Sequence, residues 1–151
     1  HPYDESLSGL EDVAWAKWAL KAGHQIVYVP EAEIIHVHQE TPRGVFNRYR
    51  REAMAFKRIF PEERFGFGDL VRLTAVNIAS DARQARREGA LRRELGNIAW
   101  FRWMQFWGTY QGYRQAGPLS WPLRQTFYYP GGVAGQQASS ERGVAPIRYE
   151  E

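Results

Sequence analysis

Helix breakers cut residues 43–117 into three lengths, and this punctuation limits the fold more than any other feature of the sequence. Pro61 stops the first length. Phe65-Gly66-Phe67-Gly68 reads as a turn, Gly89 breaks the second length, and Gly117-Pro118 ends the third. Within the first, Phe46, Tyr49, Ala53, Phe56 and Phe60 recur at helical spacing, with Arg48, Arg51 and Arg58 between them. The pattern predicts helices over about 43–60, 69–87 and 91–115, with Asp69 as N-cap of the second. In the third, Trp100, Trp103, Met104, Trp107 and Tyr110 share the helical spacing, and Phe101 and Phe106 widen the apolar surface almost all the way round. Such a helix reads first as a core or interdomain element. It reads second as a membrane-surface helix, with Arg92, Arg93, Arg102 and Arg114 near lipid phosphates.

Upstream the pattern is different. Residues 1–10 read as a loop, with Pro2, Ser6, Ser8 and Gly9 as breakers. A helix follows over about 11–22, with acids in its first turn, Lys21 in its last, and Gly23 at its stop. Residues 25–29 form a short β-branched run ended by Pro30, and 32–38 is a second strand-like segment. At the other end, 119–130 is rich in aromatics and 131–143 has the Gly/Ser/Gln composition of a flexible segment.

Charge follows the same division. Residues 1–42 carry Asp4, Glu5, Glu11, Asp12, Glu31, Glu33 and Glu40 against Lys17 and Lys21 alone. From Arg43 to Arg114 arginine dominates, a balance suited to phosphates, anionic lipid or an acidic partner. For any one arginine the simpler reading is a solvated helix surface. The 151 residues are 44% hydrophobic, enough for one packed domain or a piece of a larger one. Cysteine is absent, which excludes disulfides and thiolate metal sites and fits a reducing compartment. The longest apolar stretch, 98–107, is too short to span a membrane and contains Arg102 and Gln105.

Two features of the first quarter carry chemistry. Adjacent carboxylates at Glu11-Asp12 sit at a helix N-terminus, where the helix dipole favours negative charge. A carboxylate in a cleft can accept a proton from an attacking hydroxyl; in isolation, the pair reads as simple capping. His36 and His38, two apart on a strand, point to one face and suit a divalent metal or a phosphate; the plainer reading is two hydrogen-bonded strand histidines. Gln39 and Glu40 lie just beyond and offer oxygen ligands or substrate contacts. His24, beside Gly23, reads as an ordinary turn residue.

Taken in order, these residues resemble the C-terminal half of a family 2 glycosyltransferase catalytic domain of the GT-A, nucleotide-sugar-binding type. The likeness runs through Tyr3-Asp4-Glu5, Gly9-Leu10-Glu11-Asp12, Ala22-Gly23, Ile26-Val27-Tyr28-Val29-Pro30-Glu31-Ala32 and Ile35-His36-Val37-His38. It covers residues 2–42 and extends loosely into the next helix. There Arg48, Arg50 and Arg51 each fit the family's basic position, and Arg48 and Arg50 are taken as substrate-binding candidates. The resemblance implies that Asp12 is the catalytic base of an inverting transfer and that Glu11 orients the acceptor or holds the loop. His36, with His38 as the alternative, would contact a divalent Mg or Mn or the donor diphosphate. Gln39 and Glu40 would contact substrate. The implied partners are a nucleotide-diphospho-sugar donor and a glycan or lipid-linked acceptor.

The family's Asp-x-Asp metal motif and the Gln-x-x-Arg-Trp motif of processive members are both missing. The nucleotide-binding half would precede His1, so the chain is expected to be the tail of a larger protein and inactive alone. The expected fold class is α/β by parentage and mostly helical in this chain. Its expected parts are a GT-A C-terminal segment (1–42), an Arg- and aromatic-rich helical region (43–117) and an irregular tail (118–151). Standing alone, its strand edges and Trp-rich face would favour a homodimer. The expected place is the cytoplasm, peripheral on the inner membrane surface. A competing class of reading is a basic aromatic helical binding module for nucleic acid, a membrane surface or a protein. It ranks lower, with nucleic acid an unlikely partner, because it leaves the acidic first quarter unexplained.

Overall fold

The computed structural model of the protein describes residues 1–32, 41–115, 120, 123, 126 and 127. The chain divides into two compact units, 1–118 and 119–151, and the helices described below lie in the first. They are α1 (Glu11–Lys21), α2 (Pro42–Ile59), α3 (Phe67–Arg87) and α4 (Leu91–Arg114). Each lies within two residues of its expected span. The helical character read from the sequence is therefore present.

The helix ends follow local chemistry. Thr41 caps α2: its Oγ1 accepts from Gly44 N–H at 3.1 Å, and Pro42 fills the first helical position, where no N–H is needed. For α3 the expectation needs correcting. Asp69 is the third helical residue, and its carboxylate reaches back to accept from Gly66 N–H at 3.0 Å, so Gly66 is the N-cap. Gly23 (φ +86°) ends α1 as expected, with His24 N–H returning to the Ala19 carbonyl at 3.0 Å. Gly89 (φ +69°) makes the tight link from α3 to α4.

α2 and α4 run in the same direction, with Phe46 beside Gly108 and Arg50 beside Gly112, and α3 packs antiparallel against α4. The core is made of small and aliphatic side chains. Val45, Ala55 and Leu70 are fully buried, with Ala53, Met54, Ile59 and Ala85 close to it. On α4 the buried residues are Gly108 and Gly112, and the aromatic residues are not. The Trp-rich helix is the one that α2 and α3 both pack against, as a core helix would be, but its aromatic rings are not its buried face. Its close-packed stripe is glycine, which lets two backbones approach, and its aromatic rings lie half-buried or exposed. Arg102 joins α3 to α4 through a two-pronged ion pair with Asp81 (Nε–Oδ2 2.6 Å, Nη2–Oδ1 3.1 Å).

The amino-terminal segment docks on α2. Leu7, Ser8 and Ala19 are buried. Ser8 Oγ donates to the Arg51 carbonyl (3.0 Å), Arg58 donates to the Ser6 carbonyl (2.7 Å) and Oγ (3.1 Å), and Lys17 Nζ donates to the Ile59 carbonyl. Lys17 also lies 4.2 Å from the Phe60 ring centroid. Of the basic side chains of α2, Arg58 holds this segment, and Arg50 and Lys57 bond to Gln115 and the Tyr113 carbonyl at the end of α4.

The expected strand at 25–29 is in no ladder, and no strand occurs among the described residues. Ile26, Val27, Tyr28 and Val29 are each more than half exposed. A strand requires a paired edge, and none of the described segments supplies one. The second strand-like segment falls almost wholly on 33–40, outside the described residues, and the Gly/Ser/Gln stretch 131–143 also lies outside them. No helix among the described residues is long and apolar enough to cross a membrane.

Candidate functional site

The carboxylate pair stands on an unusual turn. Gly9 has φ +157°, and Leu10, the residue before α1, adopts the left-handed region at φ 60°, ψ 31°. That conformation costs a side-chain-bearing residue about 1–2 kcal/mol. The turn survives because its neighbours are pinned: Leu7 and Ser8 are buried, and Ser8 is tied to α2. Glu11 and Asp12 then form the first turn of α1. Leu10 offers no side-chain cap, and the two carboxylates do not supply one. Glu11 is half-buried and Asp12 is exposed, with no hydrogen bond or ion pair to its carboxylate among the described residues. Neither carboxylate makes a capping hydrogen bond, although both stand in the first turn, where the helix dipole favours their charge.

Leu10 also lines a cavity of about 270 Å³, together with Tyr49, Glu52, Phe56, Thr109 and Tyr113 among others. Burial pushes the Tyr113 hydroxyl above the ordinary tyrosine range, and the negative charge of Glu63 adds to the effect. The Tyr113 ring lies 5.7 Å from that of Phe65, which closes one side of the cavity. Leu10, at the end of the loop before the carboxylates, therefore borders a pocket with an aromatic wall and four oxygen-bearing side chains, Tyr49, Glu52, Thr109 and Tyr113. Tyr49, Glu52, Thr109 and Tyr113 were not among the candidates read from the sequence. Glu52 could have been found, because it shares the α2 stripe of Tyr49 and Phe56 at helical spacing.

The remaining candidates divide. Arg48 lies with its guanidinium 4.9 Å from the Tyr49 ring centroid, on the helix that lines the cavity. Arg50 Nη2 donates to Gln115 Oε1 at 2.8 Å and ties α2 to the end of α4, so part of its work is structural. His36, His38, Gln39 and Glu40 lie outside the described residues. Among the described residues no group of three or more His, Cys, Asp or Glu side chains could hold a metal. His24 is exposed just after the turn that ends α1, with its ring 6.0 Å from that of Trp18.

In the loop before the turn, Asp4 Oδ1 accepts from Ser6 N–H (2.9 Å) and Ser6 Oγ (2.6 Å). These bonds hold the Asp4 carboxyl below its usual value. They fix Ser6 where Arg58 reaches it.

No family model, curated protein or solved structure matches the chain.

Proposed function

We propose that this chain forms the acceptor-side, base-bearing part of an inverting glycosyltransferase that uses a nucleotide-diphosphate sugar. The observation that carries the reading is the turn at Gly9-Leu10, a strained backbone whose Leu10 lines a cavity and which leads into an exposed Asp12 carboxylate two residues on. Strain of this kind persists where the surrounding structure holds it, and it gathers at working sites. In this reading the Asp12 carboxylate accepts the proton of an acceptor hydroxyl as that oxygen bonds to the anomeric carbon. The bond from that carbon to the diphosphate breaks on the opposite face, and the diphosphate leaves with the electron pair. Glu11, half-buried next to it, holds the loop or orients the acceptor.

The unpaired 25–29 segment supports the same reading. A run that exposes apolar side chains on both faces has the pattern of a strand covered on both sides in an α/β sheet. The α/β parentage and the GT-A fold belong to this proposal. So do the glycan or lipid-linked acceptor and the substrate contacts of Arg48, Arg50, Gln39 and Glu40. A divalent Mg or Mn would supply charge neutralisation for the diphosphate. The described residues do not hold one by themselves, so its ligands would include His36 or His38.

The test is Asp12→Asn in the protein carrying its complete reading frame, with transfer measured across a panel of nucleotide sugars. Transfer is expected to fall by roughly 10²–10⁴-fold with donor affinity unchanged. Transfer at the wild-type rate refutes the base assignment.

A further inference from the structure

One surface remains unused by the sugar-transfer reading, and it stands independently of it. Along α4 the rings of Trp103, Trp107 and Tyr110 form a continuous ladder. Trp103 and Trp107 are stacked at 5.9 Å between centroids, and Trp107 and Tyr110 at 5.7 Å. Phe67 of α3 extends it, 6.2 Å from Tyr110, and is 63% exposed; Val71, one turn on, is also exposed. At the other end the ladder borders an apolar groove of about 360 Å³ between the start of α2 and the middle of α4, lined by Pro42, Arg43, Phe46 and Met104 besides the two tryptophans. The edge of this face is cationic. Arg43 is exposed at the groove, Arg114 lies 5.5 Å from the Tyr110 ring and donates to its hydroxyl, and Arg72 follows Val71. Asp69 lies 3.7 Å from Arg72 and also accepts from Gly66 N–H. Residues 41–115 as a whole carry fifteen Lys and Arg against seven Asp and Glu.

We propose that the Phe67–Tyr110–Trp107–Trp103 face is a docking surface for an anionic membrane. Trp and Tyr settle at the level of lipid headgroups, and neighbouring arginines meet the phosphates. Aliphatic groups at Val71, Met104 and Pro42 gain only from contact with acyl chains or another apolar surface. A second copy of the chain is the poorer occupant. Two-fold pairing brings the same patch of both subunits together, so two faces edged by Arg43, Arg72 and Arg114 would meet with like charge and no added acid to offset it. The arginines that serve differ from those read from the sequence: Arg102 is bound to Asp81 and Arg93 to Glu94, while Arg114 remains at the face.

The experiment is flotation of the full chain with phosphatidylcholine vesicles, with and without phosphatidylglycerol, at low salt. A brominated-lipid quenching measurement of tryptophan fluorescence accompanies it. Co-flotation with the anionic vesicles and strong quenching are expected. Trp103→Ala/Trp107→Ala should lose about tenfold in vesicle affinity. Arg43→Gln and Arg114→Gln should each lose about fivefold, without a change in helical circular dichroism. No co-flotation overturns the proposal, and so does equal flotation and quenching of the tryptophan variant. A wild-type dimer that the tryptophan variant abolishes assigns the face to self-association and overturns it. Tight, steeply salt-dependent binding of random oligonucleotides without vesicle binding also overturns it.

Discussion

Gly112→Ala isolates what holds the three-helix core together. A Cβ at Gly112 would lie 2.5 Å from the Arg50 carbonyl oxygen and 2.7 Å from Ala53 Cβ. Neither can swing aside, because one is backbone and the other is the root of a side chain. α2 and α4 are also cross-tied by Arg50 to Gln115 and by Lys57 to the Tyr113 carbonyl, so parting them strains both links. Overpacking of this kind costs about 2–3 kcal/mol, at the upper part of its usual range. Alanine regains about 1 kcal/mol of helix propensity over glycine. The net expectation is a loss of about 1–2 kcal/mol, a fall in melting temperature on the order of 5–8 °C. Gly96→Ala provides the internal control. It sits on the same helix with nothing within 4 Å of the added Cβ, so propensity acts alone and stability should rise by about 0.5–1 kcal/mol. Urea denaturation followed by far-UV circular dichroism reads both. A Gly112→Ala variant as stable as wild type refutes the close-packed stripe, and a destabilised Gly96→Ala removes the propensity baseline.

Two further expectations follow from the described contacts. Asp81→Asn removes one side of the half-buried pair with Arg102 and should lower stability by about 1 kcal/mol in the same denaturation assay, discounted for partial solvent screening; an unchanged midpoint would show the pair to be ornamental. Asp4 is held below its unfolded value, so its contribution is present above that value and is lost as pH falls through the folded one. Acidification should therefore release the Ser6 amide, seen as lost exchange protection by NMR, and Asp4→Ala should release it at neutral pH.

Helix positions were legible in the sequence because Pro61, Gly89 and Gly23 carry conformational information on their own, independent of any partner. The error at the start of α3 was one of register: an Asp can cap from the first position or reach back from the third, and the sequence Gly-Phe-Gly-Asp permits both. That α4 packs in the core was legible, but not which of its residues are buried, because hydrophobicity points to tryptophan. What decides which face packs here is how closely two backbones approach, and that is set by Gly108 and Gly112. The 25–29 run has strand chemistry, but pairing is a property of two segments and one segment cannot establish it. The carboxylate pair was legible; the left-handed Leu10 beneath it was not, since nothing in a leucine announces positive φ. The cavity beside it joins α2, α4 and two loops, a juxtaposition that periodicity along one helix does not encode.

The account rests on the Asp12 turn and the two histidines serving one sugar-transfer event. The 151 residues contain no cysteine, so that can be measured directly by placing spin labels at Val13→Cys and Val37→Cys in this chain and recording the distance between them. A narrow distribution no longer than a bound sugar can bridge is expected. A long separation would set the carboxylate and the imidazoles in different places and contradict the account.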